Sequence, residues 1–575
     1  MTNIRSSTAE PRLPPPVEDG DRLLHAAEGA ATLGLSPAAL LLAGLDWAVH
    51  LANAPAQRLD LLHLAVEQWR RLAGATGNMP AIQPPPGDHR FSAPSWRRFP
   101  FDVLHQGFLL SEEWWTRATS GVRGTERSNQ RIVSFVARQW LDMMSPSNVP
   151  WLNPEVIEAA WSSGGGSLAA GFGNLLEDLG ATADLDGAGR FAVGRDLAVT
   201  PGKVVLRNGL IELIQYAPAT PVVHVEPILI VPAWIMKYYI LDLSPQNSLI
   251  RYLVGQGHTV FCISWSNPGA KQSDLTLEDY RRLGVMAALD ALAAITGGAK
   301  VHGCGYCLGG TLLAIAAAAL ARDGQDRLAS LTLLAAQTDF TEAGELQLFI
   351  TESQLAFLED MMWAHGTLSS TQMAGAFQLL RSNDLVWSRA VRNYLLGRRD
   401  QPNDLMAWNA DATRMPYRMH AEYLRRLFLD NDLAEGRYPV EGRPVSIEDI
   451  ALPMFVVGTE TDHVAPWRSV YKMHLLNKGE ITFVLASGGH NAGIVSEPGH
   501  ANRHYAIGRR AKGRRFAGPE EWLADAESRA GSWWEAWAAW LAERSGPKVA
   551  PPPMGAPDKG LQPVAAAPGT YVHQS

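Results

Sequence analysis

The strongest constraint on the fold is a change of pattern after Gly194, where short runs of β-branched residues begin to alternate with helical segments. Runs of this length, bounded by turn residues, are typical of buried strands. We predict strands at 204–206, 210–216, 228–231, 260–264, 301–304, 331–334, 454–457 and 482–485. Strands that alternate with helices form a mostly parallel sheet covered on both faces, so this region is predicted to be an α/β domain.

The rest of the chain divides by composition and spacing. The apolar residues of 23–195 follow helical spacing, which predicts a mainly helical N-terminal domain ahead of the α/β domain at 196–546. Inside the α/β domain, a stretch of about 339–450 that is rich in Trp and Met is predicted to be a helical cap insertion over the active edge of the sheet. Both ends, 1–22 and 547–575, are rich in proline, which predicts flexible segments.

Composition excludes several classes of function. Lys and Arg number 50 and Asp and Glu number 58, a formal net charge of -8, so the chain has no overall attraction to nucleic acid. Its three cysteines are too few for a disulfide framework and suit a reducing compartment. The first residues lack a secretory signal pattern, and the most apolar stretches are too polar or too short to span a membrane. We therefore expect a cytoplasmic protein with no transmembrane segment and no nucleic-acid partner.

The motif with the clearest chemistry is a nucleophile elbow. Residues 305–309, Gly-Tyr-Cys-Leu-Gly, follow a predicted strand and open a predicted helix. This is the context of the nucleophile in α/β-hydrolase folds, with Cys307 in place of serine. The glycines permit a tight turn that exposes the nucleophile at the sheet edge, and the helix start favours the thiolate form. The alternative is that Cys307 is an inert buried cysteine.

A second motif overlaps the elbow, because Cys304 and Cys307 form a C-x-x-C pair. Redox dithiols place the first cysteine at a helix start, whereas Cys304 closes a predicted strand, which disfavours redox chemistry. Zinc is disfavoured further because the chain has no second Cys pair. We therefore predict neither a metal nor a cofactor.

In this fold the nucleophile is followed along the chain by an acid after a later strand and then by a histidine near the end of the sheet. Asp462 follows the seventh predicted strand and His490 follows the eighth. An acid in this place orients the imidazole, which accepts a proton first from the thiol and later from a hydroxyl. The predicted catalytic residues are therefore Cys307, Asp462 and His490. Glu460 and His463 are the alternatives for the acid and the base, and Asp462 could instead bind the N–H groups of its own turn.

The oxyanion hole of such a site is formed by backbone N–H groups. One donor is Leu308, which directly follows the nucleophile. The second comes from the loop after the strand at 228–231, where Ala233 is the predicted donor. Since the backbone supplies both groups, the identity of the side chains constrains this site little.

Further motifs are dispersed over about 153–540. They are Asn153-Pro154-Glu155, Ser167-Leu168, Lys237-Tyr238-Tyr239-Ile240-Leu241-Asp242-Leu243, Asn247-Ser248-Leu249, Gln256-Gly257-His258-Thr259-Val260-Phe261, Ser264-Trp265, Asn267-Pro268, Gly305-Tyr306-Cys307-Leu308-Gly309-Gly310, Asn383-Asp384-Leu385-Val386-Trp387, Trp408-Asn409, Asp462-His463, Ala465-Pro466-Trp467 and Gly531-Ser532-Trp533-Trp534. In these motifs and their order the chain resembles the class I polyhydroxyalkanoate synthases, the poly(3-hydroxybutyrate) polymerase type within the α/β-hydrolase superfamily. The catalytic Cys, Asp and His of that family fall on Cys307, Asp462 and His490.

The resemblance implies an acyltransferase that polymerises (R)-3-hydroxyacyl-CoA, 3-hydroxybutyryl-CoA in particular, into a polyester and releases CoA through an acyl group on Cys307. It also implies a homodimer, with the insertion at the dimer contact, that works on polyester granules in the cytoplasm, where granule-associated proteins are further partners. Because CoA is polyanionic, cationic side chains are expected near the entrance. Arg503, Arg509 and Arg510, which follow His490 in the chain, are the candidates for binding CoA.

Four departures from the family pattern keep other functions open. Ala233, Trp234 and Met236 replace the usual Pro, Cys and Asn of the loop predicted to hold the oxyanion donor, and Asn491 replaces the usual Ile. An acyl-CoA thioesterase or a polyester depolymerase could use the same three catalytic residues with water as the acceptor. A granule-binding protein that has lost its activity is the alternative from a different class.

Overall fold

The structure is a computed structural model that describes residues 19–32, 34–75, 79–85, 87–180, 191–369, 372–373, 382–399 and 401–575. The helices are α1 (Asp19–Ala31), α2 (Pro37–Ala52), α3 (Pro55–Gly74), α4 (Phe101–Thr119), α5 (Arg127–Met144), α6 (Pro154–Ser162), α7 (Gly166–Asp178), α8 (Leu249–Gly255), α9 (Leu277–Asp279), α10 (Ala287–Thr296), α11 (Leu308–Arg322), α12 (Glu352–His365), α13 (Ser388–Ala390), α14 (Asp404–Ala410), α15 (Tyr417–Tyr423), α16 (Trp467–Tyr471), α17 (Met473–Leu476), α18 (Pro519–Asp525) and α19 (Trp533–Ala542). The strands are β1 (Gly202–Arg207), β2 (Ile211–Tyr216), β3 (Val223–His224), β4 (Ile228–Val231), β5 (Val260–Trp265), β6 (Val301–Tyr306), β7 (Leu328–Leu334), β8 (Thr367–Leu368), β9 (Met415–Pro416), β10 (Pro439–Val440), β11 (Arg443–Pro444), β12 (Met454–Thr459), β13 (Ile481–Ala486), β14 (His504–Arg510), β15 (Glu527–Ala530), β16 (Lys548–Val549) and β17 (Ala565–Ala566).

Helices α1 to α7 form the N-terminal region, so the predicted helical character of this half is confirmed. The local sequence explains where several of them begin. Ser36 accepts a hydrogen bond from the third residue of α2, and Pro37 occupies the first helical position. At the start of α6, the Asn153 side chain likewise accepts hydrogen bonds from backbone N–H groups, and Pro154 occupies the first helical position. A side-chain acceptor followed by proline is a preferred helix start because both satisfy or avoid the unpaired N–H groups there.

The apolar side chains of this helical region are only partly buried. A small core cluster forms around Phe91 and Trp96, whereas Trp140 and Trp161 are 61% and 89% exposed. Among the helices that the structure describes, none is long and apolar enough to cross a membrane.

Within the described residues, eleven strands form the central sheet in the spatial order β15-β14-β13-β12-β7-β6-β4-β5-β2-β1-β17. The six central strands, β13 to β5 in this order, run parallel, and antiparallel strands extend both edges. Every residue of β4, β5, β6, β12 and β13 is buried, as expected where helices cover both faces. The mostly parallel α/β sheet predicted from the alternating pattern is therefore confirmed.

The sequence pattern missed the antiparallel strands β14 and β15 at one edge. β14 pairs with β13, and β15 pairs with β14. All four residues of β15 are exposed, and β14 has one fully buried residue. Edge strands of this kind lack the short, mostly apolar run by which the central strands were recognised.

The segment 547–575 is not the flexible tail that its proline content predicted. Residues 548–549 pair with β3, and residues 565–566 pair with the edge strand β1. Tyr571 donates its hydroxyl to the carbonyl of Asn208 at 2.6 Å. An edge strand has free backbone N–H and C=O groups that can pair with a distant segment. The proline content of 547–575 does not reveal this pairing, so composition alone predicted a flexible segment. Of the predicted flexible segment 1–22, residues 19–22 belong to α1 and the others lie outside the described residues.

The insertion between β7 and β12 contains α12 to α15 and β8 to β11 in its described part. It contacts the loop that follows β4. Thr413 donates its hydroxyl to the carbonyl of Trp234 at 2.6 Å, and the Trp408 indole donates to the carbonyl of Lys237 at 2.8 Å. The insertion therefore lies against the loop at the carboxyl end of β4. Residues 370–371, 374–381 and 400 of this insertion lie outside the described residues.

Candidate active site

Cys307 occupies a sharp turn between β6 and α11. Its backbone has φ 52° and ψ -124°, a combination that L-residues rarely adopt. A Cβ on Gly305 would lie 2.3 Å from the Cα of Gly310. One on Gly309 would lie 2.1 Å from the carbonyl oxygen of Val231. Only glycine fits these positions, so the glycines predicted to permit the elbow are required by the close approach of the strand, the helix and the neighbouring loop.

The carboxylate of Asp462 and the imidazole of His490 are hydrogen-bonded beyond the carboxyl ends of β12 and β13. The distance between His490 Nδ1 and Asp462 Oδ2 is 2.8 Å. Asp462 Oδ1 accepts the N–H groups of Val464 and Ala465 at 2.9 and 2.8 Å, and the Thr459 hydroxyl donates to Oδ2 at 3.0 Å. Asp462 thus binds His490 and its own turn at once, so the two roles considered for it coexist.

Electrostatic interactions link these two side chains to Cys307. Burial lowers the pKa of His490, but the Asp462 carboxylate and the Cys307 sulfur, by charge and by hydrogen bonds, raise it to about 10. Burial raises the pKa of Asp462, and its interactions with His490 and with two backbone N–H groups outweigh this and bring the pKa below its ordinary value. The side chains of Asp462 and His490 are 0% and 11% exposed, and a site with little water strengthens such interactions. The arrangement therefore favours an imidazolium on His490 beside the Asp462 carboxylate.

The alternatives for the acid and the base do not form the hydrogen-bonded pair at the site. Glu460 hydrogen-bonds to His504 at 3.2 Å in an exposed position. His463 adjoins Asp462 in the chain, yet the imidazole on the Asp462 carboxylate is that of His490. The structure thus brings together the three residues predicted as catalytic, and turns Glu460 away from them.

The two predicted oxyanion donors lie in one buried region beside Cys307. Leu308 is the first residue of α11, so its N–H has no carbonyl partner within the helix. A Cβ on Gly309 would lie 2.4 Å from the carbonyl oxygen of Pro232, which shows how closely the loop after β4 approaches the elbow. Ala233 follows in that loop and is buried. Their role as oxyanion donors stays a prediction.

Trp234, a departure from the family pattern, is buried on the same loop. Its ring centroid lies 6.3 Å from that of Trp265, 5.3 Å from that of Tyr280 and 6.4 Å from that of Tyr423. Trp265 and Tyr280 belong to the body of the α/β domain, and Tyr423 belongs to the insertion. Trp234 therefore joins the predicted oxyanion loop to both parts.

A cavity of about 20 Å³ adjoins Cys307. A volume of this size holds about one water molecule. Besides Cys307, its walls are Leu308, Thr311, Ala335, Gln337, Phe340, Leu346, Tyr423, Phe428, Val464 and Ala465. The sequence did not identify the aromatic residues of this wall, Phe340, Tyr423 and Phe428. An aromatic residue of the insertion has the same sequence pattern around it whether its side chain faces a hydrophobic core or an active site.

The three arginines predicted to bind CoA lie at opposite ends of β14. Because β14 runs antiparallel to β13, Arg509 and Arg510 lie beside the start of β13, far from its carboxyl end. Arg509 pairs with Glu480 at 2.8 Å, and Arg510 donates to backbone carbonyl groups. This placement separates both residues from His490, because their closeness to it in the chain is not closeness in space. Arg503 precedes β14 on the His490 side and stays a prediction.

The structure also bears on the C-x-x-C motif. Cys304 is buried in β6, and burial raises the pKa of its thiol. The cysteines of the chain are free. Among the residues that the structure describes, no three His, Cys, Asp or Glu side chains meet in a way that could hold a metal ion.

Fold and site together define an α/β-hydrolase-type protein with cysteine at the nucleophile elbow. A family model described as "alpha/beta hydrolase fold" matches residues 226–497. Models described as "Poly-beta-hydroxybutyrate polymerase (PhaC) N-terminus" and "Poly-beta-hydroxybutyrate polymerase N terminal" match residues 87–253 and 15–57.

Relatives of similar length carry the same description. A poly(3-hydroxyalkanoate) polymerase of Methylorubrum extorquens is 42% identical over 87% of this chain and 83% of its own. The poly(3-hydroxyalkanoate) polymerase subunit PhaC is 38% identical in Rhizobium meliloti, over 84% of this chain and 79% of the relative. The subunit of Cupriavidus necator is also 38% identical, over 92% and 90%. The chain belongs to the poly(3-hydroxyalkanoate) polymerase family, and is an acyltransferase.

Proposed function

We propose that this polymerase takes (R)-3-hydroxyacyl-CoA, 3-hydroxybutyryl-CoA in particular, and builds a polyester through an acyl group carried on Cys307. The observation that carries the proposal is the nucleophile elbow with Asp462 and His490 hydrogen-bonded beside it. The names of the relatives support polymer formation as the outcome. A thiolate is a suitable nucleophile for a thioester, because the attacking and the leaving sulfur are chemically alike.

The first step transfers the acyl group to the enzyme. The Cys307 thiolate attacks the carbonyl carbon of the thioester, and the bond from that carbon to the CoA sulfur breaks. The leaving CoA thiolate takes a proton from the His490 imidazolium, which becomes a neutral imidazole. Asp462 binds Nδ1 and thereby directs Nε2 towards the reacting atoms.

The second step forms the ester. A 3-hydroxyl group attacks the acyl carbon on Cys307 while its proton passes to His490 Nε2. The new C–O bond forms, the C–S bond to Cys307 breaks, and the thiolate and imidazolium return. Asp462 stabilises the imidazolium by charge and by its hydrogen bond.

Both steps pass through a tetrahedral intermediate with a negatively charged oxygen. The N–H groups of Leu308 and Ala233 are the proposed donors to this oxygen. Donors that are fixed before the reaction begins stabilise the developing charge without reorganisation. The contacts of Trp234 with the body and the insertion support a fixed loop at this point.

Substrate entry requires motion of the insertion. A cavity of about 20 Å³ at Cys307 is too small for an acyl-CoA. Phe340, Tyr423 and Phe428 of the insertion form part of its wall. We infer that the insertion opens to admit the thioester and closes to keep water from the acyl-enzyme.

The state of assembly and the place of action are inferred from the family likeness. We propose a homodimer with the insertion at its contact, acting in the cytoplasm on the surface of polyester granules, with granule-associated proteins as neighbours. Arg503 is the arginine retained as a candidate for binding CoA, because it lies on the His490 side of β14. Sedimentation of the purified protein tests the dimer, and the KM for acyl-CoA of an Arg503→Gln variant tests this arginine.

The decisive experiment mixes purified protein with (R)-3-hydroxybutyryl-CoA and follows free thiol and turbidity together. Thiol release with turbidity, both lost in Cys307→Ala, is the expected result. Cys262→Ala is the matched control, since it removes another buried thiol from the middle of β5 and should leave both signals intact.

The other outcomes separate the rival functions. Thiol release without turbidity would identify a thioesterase, in which water replaces the hydroxyl acceptor. Cleavage of added polyester with no use of acyl-CoA would identify a depolymerase. No turnover of 3-hydroxyacyl-CoA substrates by the wild type would support a granule-binding protein without activity.

A further inference from the structure

The residue before Cys307 and the residue after His490 are hydrogen-bonded to each other. The phenol of Tyr306 donates to Asn491 Oδ1 at 2.6 Å. Tyr306 ends β6, and Asn491 lies in the loop after β13. The bond therefore joins the turn that carries the nucleophile to the loop that carries the base, one residue from each.

The ring of Tyr306 also lies against the imidazole. The centroids of the Tyr306 and His490 rings are 5.7 Å apart, with 30° between the planes. Tyr306 is 2% exposed, so water cannot easily reach its hydroxyl. If Asn491 were apolar, this buried hydroxyl would have no hydrogen-bond acceptor, which costs free energy. Burial, together with the charges of Cys307 and Asp462, raises the pKa of Tyr306. The phenol therefore stays protonated and remains a donor at neutral pH.

The loop of His490 is held on its other side by α19. The Trp533 indole donates to the carbonyl of Gly493 at 2.9 Å, and the Trp534 indole donates to the carbonyl of Ile494 at 2.9 Å. These bonds fix the loop relative to α19, but they do not reach the elbow. The bond between Tyr306 and Asn491 does, because Tyr306 directly precedes Cys307 and Asn491 directly follows His490 in the chain.

We propose that the Tyr306–Asn491 hydrogen bond positions the His490 imidazole against the Cys307 sulfur, and so sets how readily the thiolate forms. Both residues act through the catalytic pair, as positioning residues. The inference rests on the proposed function for its effect on turnover, but its effect on the thiol is independent of any substrate. Without the bond, the elbow and the base loop can separate, and the imidazolium stabilises the thiolate less well.

The test uses Tyr306→Phe, which keeps the ring, and Asn491→Leu, which keeps the approximate size, singly and together. The first readout is the rate at which iodoacetamide alkylates Cys307, followed by mass spectrometry of the Cys307 peptide from pH 5 to 10. Each single variant should slow alkylation at pH 7 about tenfold, the effect of losing one buried hydrogen bond, and move the pH–rate profile to higher pH. The double variant should be no slower than either single variant, because both remove the same bond.

The second readout is CoA release from (R)-3-hydroxybutyryl-CoA, where kcat should fall by about the same factor and KM should change less than about twofold. Tyr471→Phe is the matched control, since its hydroxyl donates to the carbonyl of Ala517 at 3.0 Å away from the site. Unchanged alkylation in both single variants with a lower melting temperature would overturn the proposal and leave a structural role. Equal slowing in Tyr471→Phe would overturn it as well.

Failure of the proposed function gives a different pattern. A wild type that releases no CoA, but whose Cys307 alkylation depends on Tyr306 and Asn491 as described, would contradict the proposed reaction and keep the positioning role. Should Tyr306→Phe not fold, the Asn491→Leu variant alone decides the outcome through its alkylation profile.

Discussion

The carboxyl edge of the sheet and the outer face of the N-terminal helices differ in the burial of their aromatic side chains. Around the site, Trp234 is buried against the Trp265 ring, and Tyr306 is buried against the His490 imidazole. On the helices, Trp140 and Trp161 project outward. Close packing holds a buried aromatic side chain in one orientation, which a catalytic site requires. An exposed aromatic side chain is part of a surface, and its role depends on the partner that binds there.

The largest effects should come from the base and the acid. His490→Ala should lower kcat for CoA release about a thousandfold or more, because it removes the proposed proton acceptor. Asp462→Asn should lower kcat at least about a hundredfold, because the neutral amide orients the imidazole less well and does not stabilise the imidazolium by charge. Steady-state kinetics measure both, and circular dichroism checks that the fold is kept. Variants that retain more than a tenth of wild-type kcat would contradict the proposed mechanism.

Two tryptophan variants contrast a buried aromatic side chain of the α/β domain with an exposed one of the N-terminal helices. Trp537 is 0% exposed, and its indole donates to the Thr332 hydroxyl at 3.0 Å. Trp537→Ala should therefore lower the free energy of unfolding by about 3–5 kcal/mol. Trp161→Ala should change it by less than about 0.5 kcal/mol, because the side chain is exposed. Urea titration measures both, and similar losses in the two variants would mean that Trp161 is buried in the folded protein in solution.

The pair formed by His490 and Asp462 should make stability depend on pH. The pKa of His490 is about 10 in the folded chain against 6.5 in the unfolded chain. Its contribution is therefore complete below pH 6.5 and is lost as the pH rises through 10. Asp462 has a lowered pKa, so its contribution is lost when the pH falls.

We expect the difference in the free energy of unfolding between wild type and His490→Gln to shrink steadily from pH 7 to pH 10. Using the difference cancels the groups that titrate in both proteins. A difference that stays constant over this range would show that His490 is not held as an imidazolium.

The smallest effect should come from Arg509, at the far edge of the sheet. Arg509→Gln should leave the KM for acyl-CoA within about twofold of wild type, because this side chain pairs with Glu480 in an exposed position. Steady-state kinetics against Glu480→Gln as a companion variant measure this. A large rise in KM would return Arg509 to the list of residues that contact CoA.

Burial explains which parts of the fold were predictable from sequence. The central strands are mostly apolar because helices cover them on both sides, and each was recognised. β14 and β15 lie at an exposed edge and carry no such signal. The pairing of 565–566 with β1 joins segments more than 350 residues apart, a contact that no local pattern encodes.

The site divides in the same way. The order of an elbow, an acid and a histidine along the fold was enough to select Cys307, Asp462 and His490, since each follows a central strand. Arg509 and Arg510 lie far from His490 because β14, which the sequence pattern did not reveal, carries the chain away from it. The walls of the cavity at Cys307 come largely from the insertion, whose packing is set by tertiary contacts and not by spacing in the sequence.

The central claim is that Cys307 carries the acyl group, and direct detection of that intermediate tests it best. The protein is mixed with (R)-3-hydroxybutyryl-CoA, quenched in acid within milliseconds to seconds, digested and examined by mass spectrometry. We expect a 3-hydroxybutyryl group on the Cys307 peptide that appears as CoA is released and is absent from Cys307→Ala. CoA release and polymer formation with an unmodified Cys307 peptide at every time, or with the acyl group on another residue, would contradict it.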